Sequence, residues 1–222
     1  MASPSLLDPN FIRTVICLLG HDEAGSIGVV INRPSGTRVD DIVPEWDALA
    51  ARPRQIFMGG PVQTDGALCV ARITEAAARA LAGPGPVLGR DSERSERADH
   101  PAGSRRGVPT EELGSPSAGA EPEAEDTSGF RPVIGALGTV NLDRSPDEVS
   151  VELVEARVFA GYAGWGPGQL ETEVISGDWF VLDLNESDVF DPEPEDLWAR
   201  VLRRQGAWLA VLARCPLDPS VN

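Results

Sequence analysis

The apolar residues of this chain fall in short runs, and the runs predict a sheet dressed with small helices. Residues 12–19, IRTVICLL, and 26–32, SIGVVIN, are almost continuously apolar and rich in β-branched residues. They predict two strands covered on both faces, joined as a hairpin through a longer polar loop, GHDEAG at 20–25. Over 38–51 the spacing of Val39, Ile42, Val43, Trp46, Leu49 and Ala50 predicts a short helix divided by Pro44. QIFM at 55–58 and ALCVARI at 67–73 read as further strands, and Thr74 caps a predicted helix over 74–82.

The second half repeats the alternation without repeating the sequence. Residues 132–142, PVIGALGTVNL, predict one strand, and 143–148 a turn with a helix start. In 156–179, ARVFAGYAGWGPGQLETEVISGDW, Arg157, Phe159 and Gly161 alternate with Val158, Ala160 and Tyr162, as in a strand entering a core. Gly161, Gly164, Gly166 and Gly168 follow at short spacing and predict a glycine-rich turn with positive φ or close backbone approach. Gly166-Pro167 predicts a helix start, Leu170 and Val174 its apolar edge, and Gly177 its end. Trp179 opens a predicted strand over 179–184, WFVLDL, and Tyr162, Trp165 and Trp179 are the expected packing anchors. Glu186–Phe190 predicts a turn of helix, and 192–206 a helix that buries Leu197, Trp198, Val201 and Leu202. Residues 207–222 form a C-terminal tail, with Gly206 as the break.

One stretch breaks this pattern. Residues 89–130 are rich in Pro, Gly, Ser, Glu and Arg with almost no large apolar side chains, which predicts a disordered insertion. It interrupts the sequence of a single domain over 1–206 without dividing the core. The fold class expected is α+β, with a curved, largely antiparallel or mixed sheet flanked by helices.

Three segments carry a resemblance. They are Gly28-Val29-Val30-Ile31-Asn32-Arg33-Pro34, Gly59-Gly60-Pro61-Val62, and the stretch from Gly161 through Tyr162, Gly164, Trp165 and Gly166 to Trp179. In combination they resemble the bacterial YqgE/AlgH family, over roughly residues 3–83 and 132–206. Pro4 and Asp8-Pro9 fit the leader of that family. The resemblance is to a largely uncharacterised family whose members often carry a transcriptional-regulator label. It implies a non-enzymatic binding or regulatory role, with an unknown protein partner or small ligand.

Charge narrows the partners. The formal net charge is −16, and the insertion, with ten acids and five arginines, supplies only −5 of it. An acidic body repels the phosphates that give most non-specific nucleic-acid affinity, so direct DNA binding is not expected. The basic residues cluster only at Arg200, Arg203 and Arg204. All the cationic side chains are arginine, which excludes Schiff-base and phosphate-loop lysine chemistry. No apolar run approaches the ~20 residues of a membrane span, and no signal peptide is visible, so the expectation is a cytoplasmic protein.

Candidate chemistry is sparse. No catalytic set, metal site or cofactor motif is predicted. His100 lies in the insertion, and a solvated hairpin turn accounts for His21, Asp22 and Glu23. Cys17 and Cys69 sit in apolar runs and read as buried small hydrophobes, with redox sensing as the sharper alternative, and Cys215 lies near the end of the chain. The candidate binding surface is Asn32, Arg33, Gly59, Gly60, Gln169, Glu171 and Glu173. Arg33 either pairs with an acid in a structured turn or holds an anion at a pocket rim. Gln169, Glu171 and Glu173 either cap loop N–H groups and pair with Arg33 or Arg157, or form part of a ligand site that an enzyme or small-ligand protein would use. The sequence leaves the oligomeric state open.

Overall fold

The computed structural model describes residues 1–83 and 128–214. The first two apolar runs form β1 (Ile16–Asp22) and β2 (Gly25–Val30), paired antiparallel. The predicted polar loop is shorter than expected. His21 and Asp22 belong to the ladder, only Glu23 and Ala24 form the turn, and Asp22 Oδ1 accepts from Ala24 N at 2.8 Å.

The helix predicted over 38–51 is instead a strand end and one 3-10 turn. β3 (Pro34–Arg38) pairs antiparallel with β4 (Gln55–Met58), and the 3-10 turn spans Pro44–Leu49. Pro44 lacks the N–H that would continue a helix from Val39–Val43, so helical geometry starts only at the proline. Trp46 is buried there and its indole donates to the Arg144 carbonyl.

β5 (Val62–Ile73) and β8 (Leu153–Trp165) are the longest strands and pair antiparallel, with Cys69 opposite Val158. β6 (Phe130–Ile134) and β7 (Leu137–Val140) form a hairpin on the far side of β5, where a single strand over 132–142 was expected. Gly135, at φ +55, makes the turn that splits the run. The strand order is β1-β2-β8-β5-β7-β6, and β4 adds to β8 in parallel, Phe57 opposite Phe159. The sheet is therefore mixed, mostly antiparallel and nearly barrel-shaped, as an α+β single domain.

Period-2 alternation along the central strands sorts side chains into two cores. Val29, Phe57, Val70 and Phe159 face one side, where they meet Leu197, Trp198, Val201 and Leu202. Cys69, Ala71, Ala156 and Val158 face the other, with Trp46 and Phe130. Phe130 is buried and begins β6, so residues 128–130, placed in the insertion from sequence, belong to the fold. The rest of the insertion predicted from residue 89, with His100, and also Cys215, lie outside the described residues.

The helices are short. α1 (Glu75–Leu81) carries the predicted cap, Thr74 Oγ1 accepting from Ala77 N at 3.3 Å. α2 (Gln169–Ile175) starts at Gly168, not Gly166, because β8 continues through Gly161 and Gly164 to Trp165. α3 (Glu186–Val189) leads to α4 (Leu197–Arg204), whose four predicted apolar residues are all buried. Arg204 forms a two-pronged ion pair with Asp188, and Arg200 pairs with Asp191. The tail begins as a separate helix, α5 (Ala207–Leu212), after a break at Gly206, and Leu209 and Leu212 pack on the main core. Residues 179–184, predicted as a strand, contribute to the sheet only an isolated bridge between Trp179 and Ala2.

The three motif segments meet as backbone. Gly28 pairs with Ala163, Val30 N donates to the Gly59 carbonyl at 2.8 Å, and Gly59 N donates to the Ala160 carbonyl at 2.8 Å. A Cβ at Gly59 would overlap the Gly161 carbonyl oxygen. Gly59→Ala is therefore expected to cost at least ~3 kcal/mol, as severe overpacking does. Gly36→Ala, where a Cβ meets nothing within 4 Å, should cost only the ~1–2 kcal/mol of a left-handed backbone. Urea unfolding of the two variants checks the order, and equal costs would refute the seam.

Candidate functional site

β8 ends at Trp165, and the chain turns through Gly166–Gly168 into α2. The turn's Gly166 N–H is taken by Gln169 Oε1 at 3.0 Å, and Gln169 Nε2 donates to Glu173 Oε1 at 2.9 Å. Glu173 Oε2 accepts the indole N–H of Trp165 at 2.9 Å and of Trp179 at 2.8 Å. One carboxylate therefore holds two indoles, whose rings meet edge to face with centroids 5.7 Å apart. Phe11 completes the aromatic group against both rings. The sequence placed Gln169 and Glu173 on one face. Their partners are the loop N–H and the indoles, where Arg33 or Arg157 had been considered as ion-pair partners.

Glu171 points away from this cluster, toward β1. Its Oε1 lies 3.5 Å from His21 Nε2, and His21 Nδ1 is hydrogen-bonded to Ser26 Oγ at 2.7 Å. His21 is thus held between β2 and α2 on the sheet surface.

The other sequence candidates sit elsewhere. Asn32 joins β1 to the end of β2, its Oδ1 accepting from Val15 N at 2.8 Å and its Nδ2 donating to the Arg13 carbonyl at 2.9 Å. Arg33 donates to the carbonyls of Pro9, Asn10 and Ile12 at 2.7–3.1 Å, closing the 8–13 turn. Its guanidinium is thus spent on carbonyls, and among the described residues it forms no ion pair. Burial lowers its pKa, against the opposing charge of Asp8. Gly59 and Gly60 are packed against residues 161–163.

Among the described residues Arg157 is the one buried arginine. It lies over the Phe57 ring at 4.0 Å and donates from Nη2 to the carbonyls of Arg52 at 2.5 Å and Asp191 at 3.2 Å. Desolvation lowers its pKa to about 10, with Glu155 and Asp191 opposing. It ties the 190s segment to the central strand.

A cleft of about 450 Å³ opens beside these aromatics. One wall is β1 from Ile16 to His21; the opposite wall is Phe180–Leu184 with Val133 and Ile134 of β6. Trp165, Trp179, Leu170 and Val174 close one end. Its lining is mostly apolar, and Leu18, Ile134 and Val181 are exposed at its lips. Sequence reasoning missed the cleft because its walls come from segments more than a hundred residues apart. Among the described residues no group of three metal-ligating side chains is gathered.

Both described thiols are buried. Burial pushes Cys17 up to about 12 and raises Cys69 as well, against a small opposing backbone hydrogen bond. A Cys215→Ser variant should therefore leave both thiols unlabelled by a disulfide reagent at about pH 8 until denatured. Unfolded thiols ionise near ~8.5, so above that pH the folded state holds more protons and stability falls as pH rises toward the folded value. Rapid native labelling of Cys17 would contradict its burial and favour a redox role.

Glu173→Ala should leave two indole N–H groups without a partner. The expected loss is ~2–4 kcal/mol in urea, with a red-shifted tryptophan emission. Glu173→Gln, which keeps an acceptor oxygen, should lose less than half of that.

A family model described as AlgH-like matches residues 1–99 and 123–210. A UPF0301 protein of Streptomyces avermitilis is 42% identical over 222 residues, covering 100% of this chain and 92% of its own length. A UPF0301 protein of Mycobacterium marinum is 38% identical over 100% of this chain and 88% of its own. The crystal structure of protein DIP2367 from Corynebacterium diphtheriae superposes with a TM-score of 0.69 at 26% identity, covering 97% of this chain and 89% of that one. The solution structure of AlgH from Pseudomonas aeruginosa, 24% identical, shares the fold with a TM-score of 0.54 over 97% of this chain and 91% of that one. Motifs, family model and relatives agree, and the chain belongs to the AlgH-like family, the UPF0301 proteins.

Proposed function

We propose that this protein is a non-catalytic binding protein and that its binding surface is the cleft between β1 and residues 180–184. The observation that carries the reading is the cleft itself, about 450 Å³ in volume, apolar along its walls, with a few polar groups at its rim. That size and lining are those of sites that take small molecules or partner side chains. α2 reaches it through Leu170 and Val174, and the sequence candidates Gln169, Glu171 and Glu173 act from behind that lining. Glu173 and Gln169 position the Trp165–Trp179 wall, and Glu171 with His21 stands at one corner.

Any regulatory output then runs through a bound protein or small ligand. The net charge of −16 weighs against a phosphate backbone as the partner. Among the described residues no helix is long and apolar enough to cross a membrane.

The test uses a neutral apolar dye, Nile red, and the full chain. Leu18→Asp and Ile134→Asp change exposed lip residues, so folding should be kept, with thermal unfolding as the check. Dye affinity should fall about tenfold or more in each, as loss of an apolar contact of ~1.5–3 kcal/mol implies. Unchanged binding in both variants would place the apolar site elsewhere and refute the reading.

A further inference from the structure

Three residues stand side by side across the sheet on the face that α2 covers. His21 of β1 is opposite Ser26 of β2, and Ser26 is opposite Trp165 of β8. Directly opposed residues share a face of the sheet, with Cβ atoms ~4.5–5.5 Å apart. α2 is anchored over this row. Leu170 and Val174 pack with Trp165 and Trp179, and the Glu173 carboxylate holds both indoles. With the helix pinned at those points, Glu171 is directed toward His21.

The contact between them is not a hydrogen bond. Glu171 Oε1 stands 3.5 Å from His21 Nε2, beyond the ~2.7–3.2 Å of an N–H···O bond. The other ring nitrogen is committed, with Nδ1 2.7 Å from Ser26 Oγ. When Nδ1–H donates to that hydroxyl, Nε2 keeps its lone pair and turns it toward the carboxylate. Two electron pairs then face each other across 3.5 Å. Two donors around one metal ion have this spacing: bonds of ~2.0–2.2 Å at a tetrahedral angle set the nitrogen and oxygen about 3.4 Å apart. The Ser26 hydroxyl has the place of the outer partner that fixes the tautomer and orientation of a metal-bound imidazole. Both side chains are about half exposed, so water can fill further coordination positions.

We propose that His21 and Glu171 form a two-residue chelate for a first-row divalent cation of the zinc class, with water completing its coordination. An imidazole nitrogen beside a carboxylate oxygen suits zinc or nickel; it is neither the all-oxygen cage that calcium takes nor a thiolate site. No third protein ligand is gathered there among the described residues, so the ion is held exchangeably. Asp22 and Glu23 follow His21 and are exposed, and their charge favours a cation beside them. Asp22 is already engaged at the turn, where its Oδ1 accepts from Ala24 N. A bound ion would join β1 to α2 and so brace the helix that carries the Glu173 clamp. This inference does not require a ligand in the cleft.

The probe is zinc chloride, titrated calorimetrically into the full chain, with thermal unfolding measured in parallel. Saturable one-to-one binding at submillimolar zinc, with a rise in Tm, is the expected result. His21→Gln and Glu171→Gln each change a half-exposed side chain, so both variants should fold, with their Tm in the absence of zinc as the check. Each should weaken zinc binding at least about tenfold, as loss of even an orienting partner does, and each should remove the rise in Tm. His100→Gln, at the chain's other histidine, and Cys215→Ser are the controls and should bind as the parent does. Loss of binding in either control places the ion elsewhere and overturns the proposal. Loss in His21→Gln with full affinity in Glu171→Gln leaves a lone histidine and overturns the chelate. No saturation in the parent chain overturns it as well.

Discussion

The structure depends on a seam where three backbones touch. β8 runs through the middle of the sheet and meets β2, β4 and β5, and at Gly59–Gly60 the approach leaves no room for a Cβ. At Gly161, with φ +69, a side chain would lie 2.7 Å from the Gly60 carbonyl oxygen. Close packing of this kind cannot relax locally, because the obstacle is main chain, not a movable side chain. The three segments that carry the family resemblance are the three parties to the seam. Their convergence makes architecture, and the cleft lies beside it.

The seam has a consequence at the sheet's end. Val30 spends its N–H on Gly59, so β2 is committed on that side to the β4 turn and β8. β1 is left as the terminal strand, with one edge satisfied and the other facing the cleft. α4 and the 190s segment, fixed by Arg157 and by the Arg204–Asp188 pair, hold residues 180–184 on the opposite wall. Aromatic packing around Glu173 sets the end wall. These elements together frame the cleft beside the seam.

Much of this frame was legible in the sequence. Continuous apolar runs gave β1, β2 and β5, the Thr74 cap gave α1, and the 3.6-residue period gave α4 with its four buried residues. The failures have physical causes. Val39–Val43 has helical spacing but no helix, because Pro44 and the pairing of β3 with β4 hold the segment in turns. Gly135 sits among flanking apolar residues, so 132–142 reads as one strand although the glycine, at positive φ, turns it into a hairpin. WFVLDL has a strand's alternation of exposure, but among the described residues only Trp179 finds a bridge partner, Ala2. The Glu173 clamp was invisible because no spacing rule links one carboxylate to indoles eight residues before and six after it. Tertiary closure brings them together.

The central claim is that the three motif segments are locked together as backbone at the Gly59–Gly60 seam. Amide hydrogen exchange of the free chain tests it most directly. The account predicts slow exchange at Val30 and Gly59, whose N–H groups donate to the Gly59 and Ala160 carbonyls across the seam, and exchange at least about a hundredfold faster at Glu23 in the exposed turn between β1 and β2. Exchange at Val30 and Gly59 as fast as at Glu23 would show that the seam is open and contradict it.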